Sequence, residues 1–429
     1  MPSKYRAPRG THDVLPEEAP RWRRLEGLFR EVCERYGYRE IRTPIFEEAE
    51  LFIRSVGETT DIVTKEMYVF EDRAGRRMAL KPEGTAPVIR AYIEHGLQAK
   101  GGLVKLYYIT PIFRYEKPQA GRYRQAHQMG VEAIGSMDPA LDAEVIDLAV
   151  TFLKEAGLEG FELLLNSVGC PQCRPKYKDA LLEYAHKVGG DLCEDCKRRM
   201  VANPLRLLDC KEPSCKGAME GAPSILDFLC RECKEHFEAV RRYLEGLGIG
   251  YTLEPHLVRG LDYYTKTAFE IVHGRLGAQN AVCGGGRYDG LVEECGGPPT
   301  PAIGFAIGVE RTLLALGEGP ETDERPKVMA FVIALGDRAK EEAVRLTSEL
   351  RRAGVPTEAD YLGRSLKAQM RAADKAGAKF AVIIGERELE KGRVALRDMR
   401  TGEQTEVPRE EVTGRLCEAL RSINPCPPG

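Results

Sequence analysis

Three arginines between residues 113 and 125 could bind phosphate. Phe113-Arg114-Tyr115-Glu116 is followed by a loop that carries Arg122 and Arg124. Guanidinium groups match phosphate oxygens in a bidentate geometry, so this segment indicates a clamp for ATP or for a nucleic-acid backbone. A solvated basic loop would carry the same charges, and the charges alone do not separate the two interpretations.

Three further segments combine arginine or glycine with apolar residues. Arg259 lies in the aromatic and apolar stretch 257–265, where a charge is costly unless it is paired, with a ligand or with Asp262 in a turn. Gly284-Gly285-Gly286 allows close approach of a ligand or of a neighbouring strand. In 304–311 an apolar strand runs into a helix that begins near Arg311, which could bind an anion or simply be exposed.

Eight of the thirteen cysteines lie between residues 170 and 233, in four pairs with the spacing of metal ligands. Two zinc sites of four cysteines each, one such site with spare thiols, or reduced thiols packed in a helical insertion all fit this spacing. The possible structural zinc ligands are Cys170, Cys173, Cys193, Cys196, Cys210, Cys215, Cys230 and Cys233.

A basic stripe occurs near the C-terminus, where cationic residues recur every three or four positions. Such a stripe is either a solvated helix face or a surface for nucleic-acid phosphates. Its members are Arg364, Lys367, Arg371, Lys375 and Lys379.

The elements that must position these residues differ between the two parts of the chain. Up to about residue 325 the pattern predicts an amphipathic helix over 21–36, strands over 68–72, 78–81, 104–113 and 128–134, and later strands at 251–253 and 267–272. Hairpin-like connections among these strands favour a mostly antiparallel sheet with flanking helices. We interpret residues 170–250 as a cysteine-rich helical insertion.

A polar linker at 317–326 precedes a βαβαβ pattern, which predicts a second α/β domain over 326–429 with a largely parallel sheet. Its strands are expected at 328–335, 356–361 and 380–384, and its helices at 338–353 and 365–376.

Composition excludes several classes of protein. The 429 residues carry 63 Lys and Arg against 66 Asp and Glu, whereas a protein that coats nucleic acid would be strongly basic. No apolar run approaches the roughly 20 residues of a membrane helix, and the basic first residues lead into no hydrophobic signal segment. We therefore expect a cytoplasmic protein that uses no membrane.

Taken in order, these segments resemble histidyl-tRNA synthetase, a class II aminoacyl-tRNA synthetase of the bacterial type. Arg9-Gly10-Thr11-His12-Asp13 is similar to the N-terminal signature, and Arg42-Thr43-Pro44 to class II motif 1 of the dimer interface. Residues 113–116 with the following loop resemble motif 2, 304–311 resemble motif 3, and 257–265 with 284–290 resemble the two histidine-specific motifs. The resemblance implies residues 1–325 as the class II catalytic domain and 326–429 as the anticodon-binding domain.

The resemblance also implies a histidine site. Glu83, Gly84, Thr85 and Gln128 would hold the α-ammonium group, and the remaining histidine-binding residues would be Glu132, Arg259, Tyr263 and Tyr264. Glu132 and Tyr264 would flank a neutral imidazole, which offers one N–H and one bare nitrogen.

The resemblance further implies that Arg114 and Arg259 are the catalytic residues. Arg114 would hold the α-phosphate of ATP, Glu116 the adenine amino group, and Arg122 with Arg311 the β- and γ-phosphates. Arg259 would lie between the histidine carboxylate and the α-phosphate, where other class II enzymes use a metal ion. Mg²⁺ is expected with the phosphates, although the sequence shows no dedicated set of ligands for it.

The implied reaction is ATP-dependent attachment of L-histidine to tRNA(His) through a histidyl-adenylate by a homodimer. Gln119 would meet the acceptor end of the tRNA, and the stripe from Arg364 to Lys375 its anticodon stem. The alternative is a non-catalytic, histidine-sensing paralogue, the regulatory subunit of ATP phosphoribosyltransferase, which typically lacks the anticodon-binding domain. Another class II synthetase or a zinc-ribbon protein would leave Arg259-Gly260-Leu261-Asp262-Tyr263-Tyr264 unexplained.

Overall fold

The structure is a computed structural model that describes residues 5–58, 60–210, 212–277, 280–317 and 328–423. The chain divides into two compact units, Met1–Glu318 and Gly319–Gly429. The linker expected at 317–326 lies, apart from its first residue, outside the described residues, so the predicted boundary at 325 stays a prediction.

The first unit contains eleven strands among its described residues. They are β1 Arg39–Glu40, β2 Phe46–Glu48, β3 Val69–Glu71, β4 Arg77–Leu80, β5 Val104–Phe113, β6 Gln125–Ile134, β7 Phe161–Ser167, β8 Thr252–Leu253, β9 Thr265–His273, β10 Ala281–Arg287 and β11 Ala302–Gly308.

Ten α-helices accompany these strands in the described part of the first unit. They are α1 Ala19–Arg35, α2 Ala49–Val56, α3 Thr85–Glu94, α4 Pro139–Glu155, α5 Arg174–Lys187, α6 Glu194–Ala202, α7 Pro213–Met219, α8 Arg231–Gly246, α9 Leu291–Glu294 and α10 Val309–Leu316. Short helical turns also occur at Ile62–Glu66, Leu97–Lys100, Gly189–Asp191, Pro204–Leu207, Ile225–Phe228 and Gly274–Leu276.

An eight-stranded sheet in the order β1-β5-β6-β11-β10-β9-β7-β8 forms the centre of this unit. All its pairings are antiparallel except those at the two edges, β1 with β5 and β7 with β8. The expectation of a mostly antiparallel catalytic sheet with flanking helices is therefore confirmed. Strands 104–113 and 128–134 were predicted within three residues of their observed ends.

The two faces of the sheet have different partners because side chains alternate along each strand. One face carries large apolar residues that pack with α1, α4, α8 and α10 in the principal core, among them Met129, Val131, Phe269, Phe305 and Ile307. The other face, here named the open face, carries the residues that the sequence singled out, among which Gln128 and Arg259 are partly exposed.

The first unit also contains a small antiparallel sheet of three strands in the order β2-β4-β3. It contains the hairpin that was expected from the two runs at 68–72 and 78–81. Three apolar side chains of this sheet are exposed, those of Phe46, Val69 and Phe70, and so is that of Ile45, which directly precedes β2.

The segment expected to be a helical insertion contains α5, α6, α7 and α8. It has a small core of its own, to which three cysteines contribute buried side chains: Cys196, Cys210 and Cys215. The boundaries 170–250 stay a prediction, although β8 at Thr252–Leu253 resumes the main sheet close to the expected end.

The second unit contains β12 Val328–Leu335, α11 Asp337–Arg352, β13 Thr357–Ala359, α12 Leu366–Lys375, β14 Ala378–Gly385, α13 Glu386–Glu390, β15 Arg393–Asp398, β16 Gln404–Pro408 and α14 Val412–Ile423. A short helical turn, Arg409–Glu411, precedes α14. Its sheet has the order β13-β12-β14-β15-β16.

The expected βαβαβ order of this unit is correct, but its sheet is less parallel than expected. β12 pairs in parallel with β13 and β14, whereas β15 and β16 add an antiparallel hairpin. The hairpin was missed because charged and polar residues dominate β16, which has one fully buried position, Val407. Within the described ranges, no helix of either unit is long and apolar enough to cross a membrane.

Candidate active site

The open face of the large sheet brings most of the predicted residues together. Gln128, Gly130 and Glu132 alternate along β6 and therefore share this face. Their cross-strand partners on β11 are Gly308, Ala306 and Gly304. The row continues through Gly284 on β10 to Glu270 on β9.

Glycines form the floor of this face. Charged side chains that the sequence singled out lie against three of them, Gly284, Gly304 and Gly308. A Cβ atom at Gly284 would overlap the guanidinium of Arg259, and one at Gly304 would overlap the Glu132 carboxylate. A Cβ at Gly308 would come within 3.2 Å of the Arg311 side chain. Glycine is required at 284 and 304 because the charged groups there approach the strand backbone more closely than any side chain would permit, whereas at 308 a Cβ would make a tight contact.

Glu132 is the most deeply buried acidic group of the site, with 0% exposure. Its carboxylate accepts hydrogen bonds from the hydroxyls of Tyr108, at 3.3 Å, and Tyr288. Burial raises the pKa of Glu132 to about 8, even though these hydroxyls and Thr85 favour the charged form. At neutral pH the pocket therefore holds a carboxyl group that can either donate or accept a hydrogen bond.

Tyr264 was expected to share the imidazole with Glu132, but its contacts here are with other groups. Its ring lies 4.7 Å from that of Tyr263, and the Arg259 guanidinium lies 5.7 Å from its centroid. Both tyrosines are buried and belong to the apolar cluster on the open side of the sheet. Sequence reasoning assigned no role to Tyr108 or Tyr288, whose hydroxyls bind Glu132.

Glu83 is placed by the start of helix α3. Its two carboxylate oxygens accept the backbone N–H groups of Thr85 and Ala86, each at 2.8 Å. Position 84, between Glu83 and Thr85, must be glycine because the ring of Tyr108 occupies the place where a Cβ would be. Burial raises the pKa of Glu83, and the two N–H donors oppose that shift.

Arg259 enters this face from the loop that precedes β9. Its guanidinium pairs with Glu270, which lies opposite Gly284 in the register of β9 and β10. The alternative from sequence, an Arg259–Asp262 pair, is wrong, because the Asp262 carboxylate accepts from Asn203 instead. Among the described residues, neither Arg259 Nε nor Gln128 Oε1 has a hydrogen-bond partner, although both atoms are buried. Two buried, unsatisfied polar groups on one face suit a polar ligand.

The arginines expected to bind the ATP phosphates, Arg114, Arg122 and Arg311, each donate a hydrogen bond or form an ion pair within the protein. Arg114 Nε donates to the carbonyl of Pro82 at 2.7 Å, and Arg122 pairs with Glu116 at 2.8 Å. Arg311 Nε donates to the carbonyl of Ala281 at 2.6 Å. Burial, and then the neighbouring Arg122 cation, lower the pKa of Arg311. Convergence of like charges indicates a site for an anion with several charges.

The loop between β5 and β6 folds back on itself. Gln119 and Arg122 exchange backbone hydrogen bonds at 3.2 and 2.9 Å and form an isolated bridge. The Arg124 guanidinium stacks 3.7 Å from the centroid of the Tyr115 ring. The loop is thus ordered by its own contacts, with Gln119 at its turn.

One buried arginine of the glycine segment has a structural role. Arg287 is fully buried and pairs with Asp142 at 2.7 Å and with Asp289 at 3.0 Å. Asp142 also accepts from Thr267 at 2.6 Å and faces His236 at 2.8 Å. This network fixes the end of β10, and no sequence signal distinguished its arginine from those that face the open site.

In the second unit, Lys367, Arg371 and Lys375 lie on the exposed side of α12. None of these three forms an ion pair with a described residue. Arg364 precedes the helix, and its guanidinium pairs with Asp360, so it is less available than the stripe in the sequence suggested. Lys379 is partly buried in β14.

The cysteines of the insertion form two groups of four. One contains Cys170, Cys173, Cys230 and Cys233, and the other contains Cys193, Cys196, Cys210 and Cys215. The sequence indicated pairs but did not show which pairs meet. Each described cysteine is a free thiol.

A mostly antiparallel sheet, with arginines on a hairpin loop, at the start of the helix after its last strand and over a glycine floor, defines the catalytic unit of a class II aminoacyl-tRNA synthetase. The family model described as histidyl-tRNA synthetase matches residues 10–172 and 216–312, and the anticodon binding domain model matches 329–418. The chain belongs to the histidyl-tRNA synthetase family.

Individual relatives agree with the family models. The chain is 55% identical to the histidine–tRNA ligase of Caldanaerobacter subterraneus over 95% of its own length and 98% of that protein. It is also 55% identical to that of Desulforudis audaxviator, over 95% and 97%. The crystal structure of apo histidyl-tRNA synthetase from S. aureus matches with a TM-score of 0.81 at 42% identity, covering 96% of this chain and 100% of that one.

Proposed function

We propose that this chain attaches L-histidine to tRNA(His) in two steps, using ATP to form a histidyl-adenylate. The observation that carries the proposal is the position of Arg259, whose guanidinium lies across Gly284 on the same sheet face as Glu132 and Gln128. A fixed cation beside an amino-acid pocket can stabilise the charge that develops when a carboxylate attacks a phosphate.

Histidine is proposed to bind in the half of the face that contains Glu132. Glu83, Thr85 and Gln128 supply acceptors for its ammonium group, and the imidazole meets the Glu132 carboxyl group with Tyr263 and Tyr264 as walls. An apolar amino acid would leave Glu132 and its two tyrosine hydroxyls without a ligand partner, which is the basis of strong discrimination.

ATP is proposed to bind across the arginines. Arg114 would contact the α-phosphate, Arg122 and Arg311 the β- and γ-phosphates, and Glu116 the adenine amino group. The histidine carboxylate then attacks the α-phosphorus in line, and pyrophosphate leaves. The 3′-hydroxyl of the terminal adenosine of tRNA next attacks the activated carbonyl and releases AMP.

Mg²⁺ is part of the proposal as the partner of the ATP phosphates, whose charge it would neutralise. In the described part of the chain, the side-chain groups compact enough to hold a metal are the two cysteine clusters, so the phosphates would supply most of the Mg²⁺ ligands near the site. The cysteine clusters are proposed to hold structural zinc instead, because thiolates are typical zinc ligands.

The homodimer of the proposal would use motif 1 and the small sheet next to it. The exposed side chains of Phe46 on β2 and Phe70 on β3 lie on either side of β4, with ring centroids 6.2 Å apart. An exposed aromatic pair on a short sheet is a typical interface feature. Replacing both with aspartate should convert a dimer into a monomer in sedimentation equilibrium, and an unchanged dimer would rule out this surface.

Gln119 is proposed to meet the acceptor end of the tRNA, and helix α12 its anticodon stem. Charge reversal of the exposed stripe tests the contact of α12. K367E combined with R371E should raise the KM for tRNA about tenfold and reduce its salt dependence, because two phosphate contacts are lost. ATP–pyrophosphate exchange should not change. The same reversal at Arg338 and Lys340 on α11 is the matched control, and equal tRNA kinetics in both variants would remove α12 from the interface.

Exchange of labelled pyrophosphate into ATP, measured with each of the twenty amino acids, tests the function itself. Stimulation by histidine alone is the expected result. Absence of stimulation by every amino acid would favour the non-catalytic paralogue, and stimulation by another amino acid would overturn the assignment of the pocket. The match to the anticodon binding domain model does not favour the non-catalytic paralogue, which typically lacks that domain. A cytoplasmic location follows from this role in protein synthesis.

A further inference from the structure

The cysteine groups have the dimensions of single tetrahedral metal sites. The outer group consists of Cys170, Cys173, Cys230 and Cys233, and the inner group of Cys193, Cys196, Cys210 and Cys215; within each group the sulfurs lie within 4.8 Å of one another. Separations of 3.6 Å for Cys170–Cys173 and 3.9 Å for Cys193–Cys210 compare with about 3.8 Å between sulfurs bound to one Zn²⁺ at 2.3 Å. Cysteines bound to different irons of a cluster would lie farther apart.

Backbone amides support both groups in the manner of thiolate ligands. The N–H of Cys193 donates to the sulfur of Cys215 at 3.1 Å, and the N–H of Cys230 donates to the sulfur of Cys173 at 3.1 Å. Such donors offset the negative charge that four thiolates bring to one ion. Each group thus has four sulfurs and polar donors already directed at those sulfurs.

The outer group closes the base of the insertion, and the inner group is nested within it. Cys170 and Cys173 lie between β7 and α5, whereas Cys230 and Cys233 lie at the start of α8. Between them α6 and α7 span nine and seven residues, too short to be stable alone. A small core of this kind commonly depends on a metal or another crosslink for its stability.

The inner group carries residues that hold the loop of Arg259. Asn203 and Arg206 lie between Cys196 and Cys210. Arg206 Nη2 donates to the carbonyl of Gly260 at 2.6 Å, and Asn203 Nδ2 donates to the Asp262 carboxylate at 3.1 Å. These contacts fall one and three residues after Arg259.

The outer group holds the other end of the same loop. Arg174 follows Cys173 directly, and its guanidinium donates to the carbonyl of Tyr264 and, at 3.2 Å, to that of Val168. The segment 260–264 is therefore fixed at both ends by residues that adjoin a cysteine group. The family model does not match residues 173–215, so Arg174, Asn203 and Arg206 lie outside the part of the chain that it matches.

We infer that each cysteine group binds one Zn²⁺ and that the inner zinc site positions Arg259, through Arg206 and Asn203, for adenylate formation. The second half of this inference rests on the proposed function. Arg206 is a positioning residue, since it acts on the loop and not on the reacting atoms. Loss of the inner metal would release Gly260 and Asp262 while the sheet and its glycine floor remain.

Metal analysis of the full chain, purified without chelators, tests the two sites. We expect about two zinc ions per chain, one after C193S with C196S, and one after C230S with C233S. C417S, in the second unit, is the control and should keep both. A wild-type protein without zinc, or with iron in its place, would overturn the assignment, as would an unchanged zinc content in either double variant.

The positioning role is tested in a variant that keeps the metal. R206A should retain two zinc ions and its melting temperature, yet the kcat of histidine-dependent pyrophosphate exchange should fall about 100-fold while the KM for histidine changes little. R206K should recover part of the rate, because an ammonium group can still donate to the Gly260 carbonyl. R198A, which alters an exposed arginine of α6, is the matched control.

Equal exchange rates for R206A and R198A would overturn the coupling. A wild-type protein with no histidine-dependent exchange would instead contradict the proposed function and leave the zinc counts as a separate result. If the double cysteine variants do not fold, the zinc content of the wild type and the kinetics of R206A still decide both parts.

Discussion

The two halves of the open sheet face are built in opposite ways. In the half around Glu132 a fully buried carboxyl group lies over Gly304 and is bound by two tyrosine hydroxyls. In the half around Glu116 the arginines lie on a hairpin loop and at the start of a helix, and Arg122 keeps about a third of its side chain exposed.

The difference lies in what each half must do when its ligand arrives. In the Glu132 half the hydrogen bonds of the carboxyl group are already formed, so little must move when a ligand binds. The free-energy cost of this arrangement is the removal of the carboxyl group from water. The arginines of the other half are occupied by Glu116 and by the carbonyls of Pro82 and Ala281. In the proposed function phosphate oxygens would replace those acceptors, so this half would exchange partners on binding.

Arg259 joins the two halves, and its removal should have the largest effect. R259H should lower histidine-dependent pyrophosphate exchange by about 1000-fold or more, because the charge at the α-phosphorus loses its fixed partner. Equilibrium binding of histidine should weaken much less. R30H, a change at a partly exposed arginine of α1 that pairs with Glu26, is the control, and a turnover in R259H close to that of R30H would contradict the mechanism.

Gly284 should be nearly as sensitive, because the floor and the guanidinium form one unit. A Cβ at this position would overlap Arg259, so G284A should displace the guanidinium and lower the exchange rate about 100-fold. G290A is a matched control in the same segment, since its Cβ would meet its nearest neighbour at 3.7 Å. If G284A and G290A have equal rates, the glycine floor does not position Arg259.

Much of this architecture was predictable from sequence, because it rests on local patterns. The alternation and hairpin signals predicted β3 to β6, β8 and β9, whereas β7 and β10 were not predicted as strands. The β12–α11–β13–α12–β14 order followed from apolar periodicity. The arginines of the phosphate segment stood out because charges that recur in a loop are visible without knowledge of the fold.

The residues that were missed depend on strand register. Tyr108 reaches Glu132 because it lies opposite Gly130 across β5 and β6, and Glu270 reaches Arg259 because it lies opposite Gly284. Each of these strand pairs is consecutive in the chain, but the connections 114–124 and 274–280 are too long for a tight turn to set the register, so neither pairing has a local signal. The division of the eight cysteines into two groups was hidden for the same reason, since Cys170 meets Cys230 across 60 residues.

The pH dependence of histidine binding tests the Glu132 half. Burial raises the pKa of Glu132 to about 8, and the imidazole of free histidine loses its proton near pH 6.5, at about its ordinary pKa. Between these values a protonated carboxyl group meets a neutral imidazole, so the KM for histidine should be lowest from about pH 6.5 to 8 and rise on both sides. In E132Q the acid limb should remain and the alkaline limb disappear, with KM raised about tenfold at neutral pH.

The stability of the same variant has a definite sign. A carboxyl group whose folded pKa exceeds its ordinary value of 4.5 stabilises the fold fully only below that value, and the contribution is lost as pH rises through about 8. The stability of E132Q relative to the wild type should therefore increase between pH 5 and 8 in urea unfolding. A constant difference over this range would show that Glu132 is ionised in the folded protein.

The smallest effect is expected in the half that exchanges its partners. R122A removes one of several arginines and frees Glu116, so the KM for ATP should rise about tenfold while the KM for histidine stays within twofold of the wild type. E116Q should reduce adenine selectivity more than phosphate binding, because Glu116 is the group proposed to accept from the adenine amino group. Because Arg122 is partly exposed, its effect should also shrink with added salt, whereas that of R259H should not. A salt-independent rise in KM for ATP would mean that Arg122 is as rigidly placed as Arg259, and the contrast between the two halves would no longer hold.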